Sequence, residues 1–331
     1  MSTILTGIKP TGSPHVGNYL GAIRPAIELA KNAQDQYLYF IADLHSLTSI
    51  KDSKLMKQYV KEVAATWLAC GLDPYKVIFY KQSDIPEISE LSWILSCFTP
   101  KGDLNRAHAY KALVQNNLDF GREDVDQGVS AGVYFYPILM AADIMLFDSN
   151  FVPVGQDQRQ HIEMARSIGQ RMNQFFKSEI LILPHEKINE ATATIIGLDG
   201  RKMSKSYNNT IPLFVEENKL RKLIMKMATD SKGPNEPKET ENSAIFSLYQ
   251  SFSRSLDEVE KFKLDFSNGI SWGEAKEKLF LLMNNELTPL REKYFSYYEN
   301  DQHLDEILNV GQVKARTIAT KRLKEIKSFL L

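Results

Sequence analysis

The chain has 331 residues, 43% hydrophobic and 24% charged, with a formal net charge of −1, which is material for one large domain and a smaller one. That charge excludes a protein that coats nucleic acid indiscriminately, while leaving room for a local basic patch. No apolar run reaches about 18 residues and no charged-then-apolar leader opens the chain, so the expectation is an untargeted cytoplasmic protein with no membrane partner.

Residues 3–6 read as a short buried strand, followed by a turn-rich loop at 7–14. A helix then starts near His15 or Val16, because Val16, Leu20, Ile23 and Ile27 recur at helical spacing. Its first turn aims free N–H groups and a positive dipole past the strand, a phosphate-binding geometry. Within Pro14-His15-Val16-Gly17-Asn18, Gly17 permits close approach of a flat ring or backbone. His15 can donate to a phosphate oxygen whose charge grows in a transition state. Taken alone, so short a motif reads equally well as a loop histidine beside an ordinary helix start.

Strands at 37–42, 77–80 and 180–183 alternate with helices at 53–70, 132–147 and 158–174, the pattern of a parallel sheet covered by helices. Leu55, Tyr59, Val63 and Trp67 mark the apolar face of the first of these helices, which Gly71 and Asp73-Pro74 stop. Cys70 and Cys97, in apolar helical contexts and without metal-ligand spacing, read as buried inert thiols, and no metal site is expected. Further on, Tyr136, Met140, Asp143 and Ile144 occupy i, i+4, i+7 and i+8 and so share one helix face. An aspartate among Leu139, Met140, Ala141, Ala142, Ile144, Met145 and Leu146 is costly to bury alone, so Asp143 requires a partner.

The segment Lys202-Met203-Ser204-Lys205-Ser206 follows Leu198-Asp199-Gly200 and is polar and doubly cationic. Two lysines are flexible point charges suited to neutralising pyrophosphate as it departs. The alternative is a solvated Lys/Ser turn, but the segment gains weight from standing downstream of residues 14–18. Amphipathic helices follow near 214–228, 243–263, 273–299 and 303–329, with a polar connector at 231–242. Residues 311–331 carry Lys314, Arg316, Lys321, Arg322, Lys324 and Lys327 against Glu325, either a solvated helix face or an RNA-backbone patch. Neither G-x-x-x-x-G-K-[ST] nor G-x-G-x-x-G occurs.

The segments at 14–18 and 202–206 resemble the two signature motifs of class I aminoacyl-tRNA synthetases. Residues 6–12, 130–132, 136–144 and 152–158 resemble the bacterial-type tryptophanyl branch, over about the whole chain and more thinly beyond residue 230. The resemblance implies a Rossmann-like (HUP-type) α/β doubly wound parallel sheet at 1–206, ending in the lysine-rich loop. A C-terminal all-helical anticodon-binding domain would follow at 207–331, its last helix free to pack back on the first domain. It implies activation of tryptophan by ATP with Mg2+, transfer to tRNA(Trp), and a homodimer. Catalysis would fall to His15, Lys111, Lys202 and Lys205. ATP contacts would come from Lys9, Pro10, Thr11, Gly17, Asn18, Gly155, Gln156, Asp157, Ile195, Met203, Ser204 and Ser206 as well as both loop lysines. Tryptophan contacts would come from Leu5, Gly7, His45, Tyr136, Met140, Ile144, Val154 and Gln158, with Asp143 accepting the indole N–H. Lys9 stands where many relatives carry glutamine, and it either takes over part of the metal's work or pairs with a carboxylate. Leu5 stands where relatives often carry phenylalanine. The rival readings are a tyrosyl-type synthetase, a non-charging nucleotidyltransferase and an RNA-binding paralogue; Met140 and Asp143 favour indole.

Overall fold

Five strands, β1 (Thr3–Ile8), β2 (Gln36–Ile41), β3 (Val77–Lys81), β4 (Phe151–Val154) and β5 (His185–Ile188), form one parallel sheet in the order β3-β2-β1-β4-β5. The computed structural model describes residues 1–155, 158–188, 195–241 and 243–330. Buried on both faces, β2 is a near-continuous apolar run, Tyr37-Leu38-Tyr39-Phe40-Ile41. Alternation sorts these side chains. Tyr37, Tyr39, Ile41, Val77 and Phe79 pack beneath the first helix and the Ser53–Ala69 helix, whereas Leu5, Leu38, Phe40 and Tyr80 face the Pro86–Cys97, Ala131–Met145 and Arg159–Phe176 helices. Because the strand order reverses between β1 and β4, a crevice opens beyond their carboxyl ends, which is where doubly wound sheets bind ligands.

The first helix starts at Val16 with His15 as its N-cap, but it is not uniformly α-helical. A π turn occupies Tyr19–Ile23 before α geometry resumes at Arg24–Leu29, and π turns are often found at functional sites. After residue 213 the chain is helical: Glu217–Met225, Ala244–Phe252, Leu256–Ser267, Trp272–Tyr298 and Asp301–Lys327. The last of these returns to the sheet and lies along β3. A Cβ on its Gly311 would come 1.7 Å from the Phe79 carbonyl oxygen, so only glycine permits the approach. Ala315, Ala319, Leu323 and Ile326 continue the seam into the second core cluster.

Several expectations change. The strand expected at 180–183 is absent, and the ladder forms at His185–Ile188 instead. Ile180 and Leu181 are buried, but Asn173 satisfies the Leu181 backbone, taking its N–H and donating to its carbonyl, both at 2.8 Å. With those groups paired by a side chain, no strand partner is needed there. The stretch expected as one helix at 243–263 breaks at Ser253–Ser255, where Ser255 caps the second piece. Cys97 is exposed rather than buried, because it falls on the outer face of its helix; Cys70 is half-buried, and burial pushes its thiol pKa up. Among the described residues of the 231–242 connector one side chain is buried, Lys238, whose ammonium donates to the Gly233 and Glu236 carbonyls and lies 5.4 Å from the centre of the Trp272 ring.

Candidate active site

Two segments far apart in sequence meet at the mouth of the crevice. Val16 N–H donates to the Ile211 carbonyl at 2.9 Å and Leu213 N–H to the Pro14 carbonyl at 3.1 Å, so residues 14–16 and 211–213 pair as short antiparallel backbone. Just upstream, a hairpin folds back on itself through Gly197 N–H to Arg201 O and Met203 N–H to Ile195 O. This places Met203, which is buried, against the first helix, where Gly17 N–H points at its sulfur from 3.2 Å. Lys205 lies across the β1 loop: a Cβ on Gly12 would sit 2.9 Å from its Nζ, and Gly12 has φ +131°, a conformation that glycine tolerates. Lys202 is exposed on the same hairpin.

Asn209, which sequence reasoning missed, holds this loop in shape. Its Nδ2 donates to Asp199 Oδ1 at 2.6 Å and to the Lys202 carbonyl at 3.1 Å, while its Oδ1 accepts from Ser204 N–H at 2.8 Å. The Asn209 amide and then Arg201 hold the Asp199 carboxyl down to about 2. Ser204 caps the short 3-10 turn at Lys205–Tyr207, and its Oγ lies 2.7 Å from Ser206 Oγ.

His15 is buried, and among the described residues its Nδ1 has no hydrogen-bond partner. Burial, reinforced by Lys205, pushes the ring's pKa down to about 4, so it is neutral at pH 7. Asn18 turns back to accept the His15 backbone N–H at 3.1 Å, spending its side chain on the helix cap. Lys9 donates to Thr48 Oγ1 at 2.8 Å, and Thr48 in turn donates to the His45 carbonyl. Among the described residues its partner is therefore a hydroxyl and not a carboxylate, and burial lowers its pKa. Pro10 is buried and Thr11 half-buried beneath this loop.

A second polar cluster lies on the other face of the sheet. Asp143 is 1% exposed, and burial pushes its carboxyl up despite two opposing partners. His45 Nε2 stands 2.9 Å from Oδ2, so that nitrogen carries the proton, and Gln82 Nε2 donates to both oxygens at 2.8 and 2.9 Å. The partner that burial demanded is thus a pair. Tyr136 meets the His45 ring edge-on at 6.3 Å and directs its hydroxyl at His161 Nε2, 2.5 Å away, while His161 Nδ1 donates to Gln158 Oε1 at 2.7 Å. Burial raises the Tyr136 pKa and keeps the hydroxyl protonated. Met140, Val154 and Gly155 are half-buried. Gly7 is exposed above Phe40, whose ring a Cβ there would meet at 2.6 Å. Leu5 and Ile144 are each 1% exposed and belong to the core behind the cluster.

Ile195 pairs with Met203 through the backbone, as above. Lys111 is exposed on the His108–Asp119 helix, and among the described residues no hydrogen bond ties its side chain to the loops around His15. Gln156 and Asp157 lie outside the described residues. Gln82 and His161 also went unnoticed in the sequence. Gln82 carried a usable signal, being a polar residue just past the carboxyl end of a buried strand.

The sheet order and the meeting of the two signature segments define a nucleotide-binding α/β enzyme. The family described as tRNA synthetases class I (W and Y) matches residues 1–288, and the chain belongs to it. Among its relatives, the tryptophan–tRNA ligase of Pseudomonas aeruginosa is 50% identical over 98% of this chain and 72% of its own length. That of Neisseria meningitidis is 48% identical over 98% and 96%. The crystal structure of the Campylobacter jejuni tryptophanyl-tRNA synthetase complexed with ADP and tryptophan superposes with a TM-score of 0.86 at 41% identity, covering 98% of both chains.

Proposed function

We infer that the chain is a tryptophan–tRNA ligase: it activates tryptophan with ATP, releases pyrophosphate, and transfers the tryptophanyl group to the 3′ end of tRNA(Trp). The observation that carries this reading is the contact of Met203 with Gly17 and of Lys205 with the Gly12 loop, at the carboxyl end of β1. The tryptophan carboxylate attacks the α-phosphorus, and the bond to the β-phosphate breaks. Lys202 and Lys205 take up the charge of the departing pyrophosphate, with Lys111 as a further cation, and the neutral His15 ring donates to a phosphate oxygen. Lys9, Pro10, Thr11, Gly17 and Asn18 line the nucleotide from the β1 side; Gly155, Gln156, Asp157 and Ile195 do so from the other, with Met203, Ser204 and Ser206 above. Magnesium enters as the ATP complex, its ligands phosphate oxygens and water.

On the amino-acid side, Asp143 accepts the indole N–H, Tyr136 and Gln158 meet the ammonium, and His45, Met140, Val154 and Gly7 enclose the ring. Leu5 and Ile144 support that wall from behind. Residues 1–206 act as the catalytic domain, and the helices of 207–331 read the anticodon. The working form is a homodimer in the cytoplasm. Trp93, Phe135 and Phe175, exposed on three helices of one sheet face, give the dimer its apolar surface. The deciding experiment is amino-acid-dependent ATP–pyrophosphate exchange with the purified chain. Exchange should depend on tryptophan; exchange driven by tyrosine, or by no added amino acid, would overturn the reading.

A further inference from the structure

Gln82 is fully buried at the carboxyl end of β3, between the turn carrying His45 and the helix carrying Asp143. Its Oε1 accepts the His45 backbone N–H at 3.3 Å, which fixes the orientation of the amide. Nε2 must then face Asp143, and it donates to both carboxylate oxygens. An ionised carboxylate offers about four acceptor sites. One Gln82 N–H is shared between the two oxygens and His45 takes a further site on Oδ2, so among the described residues Oδ1 keeps a site with no protein donor of its own. We propose that Gln82 is a positioning residue for amino-acid selection: its amide pins the Asp143 carboxylate so that a single Oδ1 acceptor remains for a ring N–H in the substrate.

The inference rests on the pocket reading above and deepens it. Without the amide, Asp143 keeps one anchor, His45 on Oδ2, and can rotate about its side-chain bonds, so the acceptor is no longer held in place. The titratable groups acting on Asp143 are His45 and Asp43 from the turn after β2 and Tyr80 from β3.

The test compares tryptophan with its benzothiophene analogue, which has sulfur in place of the indole N–H, in pyrophosphate exchange by the full-length enzyme. In Gln82→Met, which keeps the volume and removes both donors, the KM for tryptophan should rise roughly tenfold or more, as for loss of a hydrogen bond to a charged acceptor. The KM for ATP and for the analogue should each stay within about threefold. An equal rise for tryptophan and the analogue would mean general loosening of the pocket, and it would overturn the inference, as would no change for either. A wild-type enzyme that fails to prefer tryptophan to the analogue would sink the pocket reading itself.

Gln82→Glu gives an independent arm, needed if the methionine variant does not fold. Two carboxylates placed together share a proton at a raised pKa. Below that value the introduced carboxyl is protonated and again has a hydrogen to donate, so preference for tryptophan over the analogue should return as pH is lowered from about 8 to about 6. Preference that stays lost, or that never falls, contradicts the role.

Discussion

Asn209→Ala tests whether the lysine-rich loop works as a preformed element. The asparagine is 2% exposed, and alanine removes its bonds to the Lys202 carbonyl and the Ser204 N–H at 3.1 and 2.8 Å. Each such bond is worth about 1 kcal/mol net, so the docked hairpin loses about 2 kcal/mol. The bond to Asp199 adds little, because that carboxylate stands in solvent. At about 1.4 kcal/mol per tenfold, the docked arrangement becomes about 30-fold less favoured. Tryptophan-dependent pyrophosphate exchange should therefore fall by roughly ten- to thirtyfold in kcat. The KM for tryptophan should hold, since Asp143 is held by His45 and Gln82 and Tyr136 bonds to His161, none of them on this loop. An acid-side signature accompanies it. The folded-state pKa of Asp199 is depressed from 3.8 to about 2, so its contribution to stability is complete above 3.8 and is lost as pH falls through about 2. Without the Asn209 amide, the largest cause of that depression, the acid-side loss should be smaller and should end nearer the ordinary value. Unchanged exchange at saturating ATP would refute the reasoning, as would a loss of activity matched by a comparable loss of global stability.

Lys205→Ala should depress exchange by about two orders of magnitude or more while leaving the thermal midpoint in place; wild-type exchange would remove the lysine from the mechanism. Gly311→Ala forces a Cβ to within 1.7 Å of the Phe79 carbonyl oxygen, so helix and strand must separate. The expected cost is about 1–3 kcal/mol, seen as a lower midpoint in calorimetry; an unchanged midpoint would show that the contact is not so close. For His15, the unfolded chain takes up a proton near 6.5 and the folded one only near 4, so stability is lost as pH falls from 6.5 through about 4. His15→Asn should flatten that part of the curve, and an NMR titration of the wild-type ring near 6.5 would contradict it.

The parts of the fold written in local pattern were legible. The continuous apolar run of β2 reflects burial on both faces, and in the Ser53–Ala69 helix the four-residue spacing marks the buried Val63 and Trp67, although Leu55 at its start is exposed. β4 escaped notice because its four residues include Pro153 and fall between two helices, too short for a period to register. The 180–183 stretch misled for the opposite reason: it is apolar because it is buried, but Asn173, several residues back, supplies its hydrogen bonds. In the site, residues that touch a ligand tend to have chemically telling types, as His15, Asp143 and the loop lysines do. Gln82, His161 and Asn209 act by holding other side chains, and an amide or imidazole looks ordinary until the fold supplies its neighbours.

The basic C-terminal helix shows how far charge alone can be read. Of its six cations, Arg316 lies 3.4 Å from Glu87, Arg322 binds Asp148 at 2.8 Å and the Ile180 carbonyl, and Lys327 lies 2.5 Å from Glu90. Exposed pairs such as Lys327 with Glu90 contribute little, about 0–1 kcal/mol each. The helix is held mainly by the apolar seam from Ala315 to Ile326 and by the close approach at Gly311, and the ion pairs set its register. Glu87 and Glu90 lie on the Pro86–Cys97 helix, which begins four residues after Gln82. The last helix therefore braces the element that follows the pocket's positioning amide, and it leaves Lys314, Lys321 and Lys324 on the outer face. Half of what looks in sequence like a nucleic-acid patch is engaged with other elements of the protein and Lys321 lies 4.0 Å from Glu325 on its own helix, so a contact with RNA phosphates at this helix would have to rest on the exposed Lys314, Lys321 and Lys324.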